Sequence, residues 1–360
     1  MTWWKRASLM SYSDLLSAPL SVNWSLSYRC NFTCSHCYSR ELETSQLSEA
    51  DIRKVVDLLA EKGVVFINFG GGEPLLLSDL YGITAYAVSR GLKVTMNTNG
   101  WLLDASTAGH ISRAGFNSVG ISIDSPEARI HDRFRNMEGS FERAIRALDH
   151  LEEAGVNTTV SCVISRENVK SWQGMIDLCR DHGARTLYLH NYKCSGMGQV
   201  NMGDLDLSPD QWSVFYLEAL DIRAGLSDLV ISFEDPIMAA LPGYTQDSFV
   251  KGSTCGKLSL HIEPDGGITP CGFLPLTIGN ILTDDFDRIW FHSPVLARMR
   301  NKTPTGKCVG CSTYEDCLGG CSARSYALTG SFDSPDPHCW VEEEQSKVQS
   351  PKSKGREPTR

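Results

Sequence analysis

Residues 22–28 (VNWSLSY) alternate apolar and polar positions at the period of a half-buried strand, while the stretch from Ser48 to Lys62 returns to one face every three or four residues, as a helix does. Ser48 followed three places on by Asp51 opens that helix like a capping box. The same exchange of periods recurs along the chain. Strands are predicted at 64–69 (VVFINF), 93–98 (KVTMNT), 118–123 (SVGISI), 159–164 (TVSCVI) and 186–191 (TLYLHN), with helices near 78–90, 103–114, 140–154 and 168–182. Each helix is long enough to carry the chain back between parallel strands. Six such βα units, rich in Val and Ile, suit an α/β fold whose parallel sheet is covered by helices; periodicity alone accommodates a partial barrel or a doubly wound sheet.

Beyond residue 205 the alternation weakens to one helical run, Ser208 to Ala224, and then a Gly-, Pro- and Cys-rich region. This places a boundary at 235–250 and divides the chain into an N-terminal segment (1–21), an α/β region (22–235), a cysteine-rich region (236–340) and a tail (341–360). The tail is too polar to offset its ordering entropy and is expected to be disordered. No internal repeat stands out beyond the βα alternation.

With 41% hydrophobic and 21% charged residues in 360, disordered and collagen-like chains are excluded. No stretch approaches the roughly 20 apolar residues of a membrane helix, and the first residues lack a signal peptide's apolar run, so a soluble cytoplasmic protein is expected. The net charge of -9, without a Lys/Arg block longer than a pair, argues against nucleic acid as a partner.

The thirteen cysteines change the picture more than any other feature. In a long chain without an export signal they point to metal or redox chemistry rather than disulfides. Cys30, Cys34 and Cys37 cluster after the first strand, where a parallel α/β protein presents its active site. Three close thiolates can hold three irons of a [4Fe-4S] cluster and leave the fourth open; a zinc site completed by His36 or a remote cysteine is the other reading. Cys255, Cys271, Cys308, Cys311, Cys317, Cys321 and Cys339 crowd into the last third, where zinc knuckles compete with clusters over Cys308 to Cys321. Cys162, in a strand, and Cys179, in a helix, read as core residues. Cys194 follows the sixth strand on the substrate face and is a functional candidate, whereas Trp3, Trp4 and the aromatics at 211–216 read as packing.

Cys30-Asn-Phe-Thr-Cys34-Ser-His-Cys37 resembles the CxxxCxxC loop of the radical S-adenosylmethionine (SAM) enzymes, in which the open iron chelates SAM. Gly70-Gly71-Gly72-Glu73-Pro74 is similar to the family's GGEP motif, Asn97 to Gly100 and Ser122 to Asp124 to its ribose- and carboxylate-facing positions, and Arg135 to an arginine near the SAM carboxylate. Each has a bland counterpart, since Gly-rich and Asn-Gly turns are common after strands. Their order, at the ends of successive strands, is what persuades. The resemblance assigns SAM contacts to His36, Gly71, Gly72, Glu73, Pro74, Asn99, Ser122, Asp124 and Arg135, with His36 facing adenine.

The second cysteine group resembles the seven-cysteine SPASM extension, which binds two auxiliary [4Fe-4S] clusters. The resemblance gives Cys255, Cys271 and Cys321 to the first and Cys308, Cys311, Cys317 and Cys339 to the second. It implies a partial (β/α)6 TIM-like barrel carrying a small cysteine-rich C-terminal SPASM domain. The implied activity is reductive cleavage of SAM to a 5′-deoxyadenosyl radical that modifies a peptide or protein, driven by a flavodoxin- or ferredoxin-type donor. Gly272 after Cys271, in place of an Asp, argues against sulfatase maturation. Only 29 residues precede Cys30, too few for an N-terminal leader-binding domain, so a separate protein is expected to present any leader. The alternatives are radical modification of a porphyrin and a non-enzymatic zinc or iron–sulfur protein. Three clusters hold twelve irons; with one reserved for SAM, eleven remain for ten thiolates, so one iron of the first auxiliary cluster is open or takes another side chain, with His261 the nearest candidate and Cys194 the next.

Overall fold

The computed structural model describes residues 16–342, apart from 40, 41, 43, 234 and 245–249. Trp3, Trp4, the first fifteen residues and the tail beyond 342 lie outside the described residues. Seven parallel strands alternate with helices: β1 (Ser21–Ser27), β2 (Phe66–Gly71), β3 (Lys93–Thr98), β4 (Ser118–Ser122), β5 (Thr158–Val163), β6 (Thr186–His190) and β7 (Val230–Ser232). The helix Glu49–Glu61 starts where the capping signal put it, with the Ser48 hydroxyl accepting from the Asp51 N–H. Ser208 and Gln211 form a full capping box before the helix Pro209–Gly225, which crosses from β6 to β7.

Alternate strand positions divide cleanly. Val22, Trp24, Ile67, Phe69, Val94, Val119, Ile121, Val160 and Leu187 are almost fully buried in one core with helix residues such as Val55, Leu59, Ile111 and Leu148. Each such side chain stabilises by about 1.5–3 kcal/mol, and together they fix the register, because a one-residue slip would turn the set outward. Cys162 and Cys179 belong to this core. The opposite face is polar. The Asn68 amide reaches Asn23 Oδ1 at 3.3 Å, Thr95 donates to Asn68 at 2.9 Å, and Ser161 lies 3.4 Å from Asn97, each bond joining neighbouring strands or alternate ones across this face. Tyr188 and His190, on the same face of β6, are exposed and stacked at 6.1 Å. Helices therefore cover one side of the sheet, and the other lines the lumen of an open barrel.

Two features depart from the sequence reading. β7 adds a seventh parallel strand, and a short helix (Ala128–Arg135) precedes the expected one at Ser140–Glu153. The sheet also continues across the 235–250 division. β8 (Ser259–Ile262) pairs in parallel with β1, setting Asn23 opposite His261, and a hairpin through β9 (Gly267–Thr269) and β10 (Gly279–Asn280) completes ten strands in the order β10-β9-β8-β1-β2-β3-β4-β5-β6-β7. Among the described residues, no helix is long and apolar enough to cross a membrane.

Candidate active site

The cysteine loop leaves the end of β1 and is held from three sides. Gly72 N–H donates to Ser27 O at 2.7 Å and Glu73 N–H to Arg29 O at 2.8 Å. Ser35 N–H donates to Phe134 O, and the Asn136 amide to Thr33 Oγ1 at 2.8 Å. From the segment after β6, Met197 N–H donates to Cys37 O at 2.8 Å and the Asn201 amide to Ser35 O at 2.7 Å. Cys34 is buried, Cys37 half-buried and Cys30 exposed, so the loop presents its thiols from depth to surface. Burial raises the Cys34 thiol to about 11, against the pull of Arg135, and Cys37 and Cys30 raise it further as neighbouring charges.

Gly71 and Gly72 stand where two backbone segments pass close together. A Cβ on Gly72 would stand 2.0 Å from Arg29 O, and one on Gly71, at φ 103°, 2.4 Å from Ser27 O. The glycines let the end of β2 press against the backbone entering the cysteine loop. Glu73 is buried and spends its carboxylate on the protein: Oε1 accepts from Thr98 Oγ1 at 2.6 Å and Leu75 N–H at 3.1 Å, and Oε2 from Asn99 N–H at 2.9 Å. Burial raises its pKa, and the donors only partly offset this. Pro74 begins the turn Pro74–Leu76, which Glu73 caps. The Asn99 side chain binds Asn31 Oδ1 and accepts from Trp101 N–H, both at 2.9 Å.

At the end of β4, just past Ser122, Asp124 Oδ2 accepts from Arg135 Nε at 2.5 Å and Oδ1 from Val163 N–H at 2.9 Å. Burial would raise this carboxyl, but Arg135, His36 and His131 outweigh it and hold it below the usual range. Arg135 Nη1 reaches to 4.0 Å from Cys34 Sγ, so one guanidinium links the strand-end carboxylate to the cysteine loop. His36 lies flat on Phe134 at 4.3 Å, which occupies one face of the ring expected to meet adenine; burial, then Arg135, lower its pKa to about 3.

The other cysteines gather in two places. Cys255, Cys271 and Cys321 share a small apolar cluster with Leu274, Met299 and Phe332. Hydrogen bonding with Cys271 holds the Cys255 thiol below its ordinary range, to about 6, and the Lys193 charge adds to this against burial. Cys308, Cys311, Cys317 and Cys339 line one small cavity. Between these places and the barrel, the buried Arg324 guanidinium binds Asp235 at 2.7 Å and Asp336 at 2.6 and 2.8 Å, while Asp336 also accepts from Cys321 N–H.

His261 is buried in the barrel wall, with Nε2 3.2 Å from Ser25 Oγ and 3.6 Å from Glu263 Oε1. Cys194 turns toward Met202, Asp206 and His338, at 3.2 Å from Met202 Sδ and 3.8 Å from Asp206 Oδ2. Sequence reasoning missed the segment 192–201 that clamps the cysteine loop. Its signal was Gly196 and Gly198: a Cβ on the first would stand 2.5 Å from Tyr38 O, and on the second 2.3 Å from Lys193 O. Lys193, Tyr188 and His190 were missed as well.

Residues 24–179 match the radical SAM superfamily, and residues 254–312 an iron-sulfur cluster-binding domain of the SPASM type. The mycofactocin maturase MftC of Mycolicibacterium smegmatis is 31% identical over 334 residues, covering 90% of this chain and 83% of the relative. An AdoMet-dependent heme synthase of Nitratidesulfovibrio vulgaris is 27% identical, covering 88% and 91%. In fold, the chain is similar to Streptococcus suis SuiB bound to S-adenosylmethionine, with a TM-score of 0.77 at 18% identity, covering 90% of this chain and 78% of that one. The chain belongs to the radical SAM superfamily and carries a SPASM domain. It is an enzyme of that class, with SAM and iron–sulfur clusters as its cofactors.

Proposed function

We propose that this enzyme modifies a peptide or protein after translation, with the radical SAM barrel over 22–235 and the SPASM domain over 236–340. The observation that carries the reading is the polar face of the sheet beneath the cysteine loop, where Asn23, Asn68, Thr95, Ser161, Tyr188 and His190 offer hydrogen bonds suited to a peptide backbone. The relative named as a maturase supports it. Relatives named as heme synthases support a second reading, a porphyrin substrate.

Cys30, Cys34 and Cys37 would hold the SAM-binding cluster. Asn31 Nδ2 and His36 Nδ1, buried beside the loop without partners, fit a site completed by a ligand. Cys255, Cys271 and Cys321 would hold one auxiliary cluster, and the four thiols around the small cavity the other. When bound, cluster and SAM supply the electron and the 5′-deoxyadenosyl radical that removes a hydrogen atom from substrate. The chain's own part is placement. Glu73 ties the ends of β2 and β3 together, and Arg135 fixes Asp124 against the cysteine loop. A flavodoxin- or ferredoxin-type donor would deliver electrons, a separate leader-binding protein would present the peptide, and the cytoplasm is the compartment. The test is anaerobic reconstitution with SAM and dithionite, supplying either a candidate precursor peptide or a porphyrin. A mass change in the peptide is expected; a change in the porphyrin alone overturns the reading.

A further inference from the structure

Two lysines stand beside the auxiliary thiols, and neither makes an ion pair among the described residues. Lys193, just past β6, sets its Nζ 3.7 Å from Cys321 Sγ and 5.7 Å from the centre of the Phe273 ring, two residues past Cys271. Lys193 follows close on His190, the last residue of β6, which lies on the lumen face. Lys193 thus lies between the substrate chamber and the first cysteine triad. Lys302 comes from the other side. Its Nζ is buried with no hydrogen-bond partner among the described residues, and the acidic groups that bear on it are Asp336, already bound twice by Arg324, then Cys321, Cys308 and Cys317, one thiol from the first set and two from the second. Gly319 leaves the approach open, since a Cβ there would stand 3.5 Å from Lys302 Nζ and 3.8 Å from Cys308 Sγ.

A buried ammonium without a hydrogen-bond partner is costly. Its retention makes physical sense when a lasting negative charge lies opposite, and thiolate-ligated clusters carry such a charge. N–H···S bonds and nearby positive charge stabilise the reduced form of a cluster and raise its reduction potential. Resting on the cluster assignment above, we infer that Lys193 and Lys302 are the counter-charges that set the auxiliary potentials, Lys193 acting on the first cluster alone from the chamber side and Lys302 on both. They are positioning residues, touching neither SAM nor the reacting atoms.

The test uses the reconstituted full chain with Cys30, Cys34 and Cys37 changed to Ala, so that about eight irons remain, and follows redox titrations by EPR. Lys193→Gln should lower the potential of one auxiliary cluster, Lys193→Arg should restore it, and Lys302→Met should lower both, all with iron content unchanged. Unmoved potentials overturn the inference. So does loss of iron from the lysine variants, which would make them assembly residues, and failure of Lys193→Arg to restore the potential, which would make Lys193 an amine ligand. A parent chain without those irons overturns the cluster assignment, and the inference with it.

Discussion

Tyr38 and His261 meet at one hydroxyl: Ser25 Oγ lies 3.3 Å from Tyr38 Oη and 3.2 Å from His261 Nε2. Tyr38 follows Cys37, and the His261 ring packs against Gly272, which follows Cys271; a Cβ there would stand 3.1 Å from the ring. The two cysteine regions are therefore joined through three side chains in the barrel wall. Ser25→Ala should leave both Tyr38 and His261 short of a buried partner and cost about 1–3 kcal/mol. Thermal unfolding of the reconstituted chain measures it, and an unchanged midpoint would mean that the bridge contributes nothing.

Changing Cys30, Cys34 and Cys37 together to Ala should abolish formation of 5′-deoxyadenosine under dithionite while leaving the iron held by the other cysteines. Continued SAM cleavage would refute the assignment of the first loop.

The adjacent glycines should separate sharply. Gly72→Ala drives a Cβ into Arg29 O at 2.0 Å, with backbone on both sides, whereas a Cβ on Gly70 has nothing within 4 Å. Gly72→Ala should therefore disturb the first cluster loop and lose about a third of the bound iron, and Gly70→Ala should keep it. Equal iron in both variants would show that the close approach is dispensable.

Glu73→Gln replaces an acceptor of three donors with a group that must turn an NH₂ toward at least one of them. A buried donor left facing a donor costs about 1–3 kcal/mol, so the variant should lose stability even without SAM. Weakened SAM binding with unchanged unfolding would mean that Glu73 serves SAM and not the fold.

Arg324→Met strips the charge from between Asp235 and Asp336, all three buried. Removing one partner of a buried ion network costs about 3–5 kcal/mol. A shift in denaturation midpoint within the range of a surface substitution would contradict that.

Glu263, pushed up to about 7 by burial and by Asp265, holds its proton more tightly folded than unfolded. Its contribution is full below the ordinary glutamate range and is lost as pH rises through 7. Glu263→Gln should gain stability relative to the parent at pH 8 compared with pH 5; the same difference at both values would argue against the shift.

Strands β1 to β6 and the order of their loops were legible because each rests on local periodicity and its own turn. β7 is three residues long, and the helix Ala128–Arg135 is so charged that no apolar stripe announced it. β8 was hidden for another reason: its partner β1 lies more than two hundred residues away, and no local pattern encodes such a pairing. The site divided in the same way. Cysteine spacing pointed to the clusters, whereas the engagement of Glu73 by Thr98 and Asn99, and of His261 by Ser25, comes from tertiary approach.

The ladder between β1 and β8 makes one rigid gauge of two regions that spacing alone would hang on a linker. Cys30 lies three residues beyond the end of β1 and Cys255 four before the start of β8, so the strand register sets the separation of the two cysteines. Electron tunnelling falls off steeply with distance, so clusters held at these positions would exchange electrons across a gap that backbone hydrogen bonds keep constant.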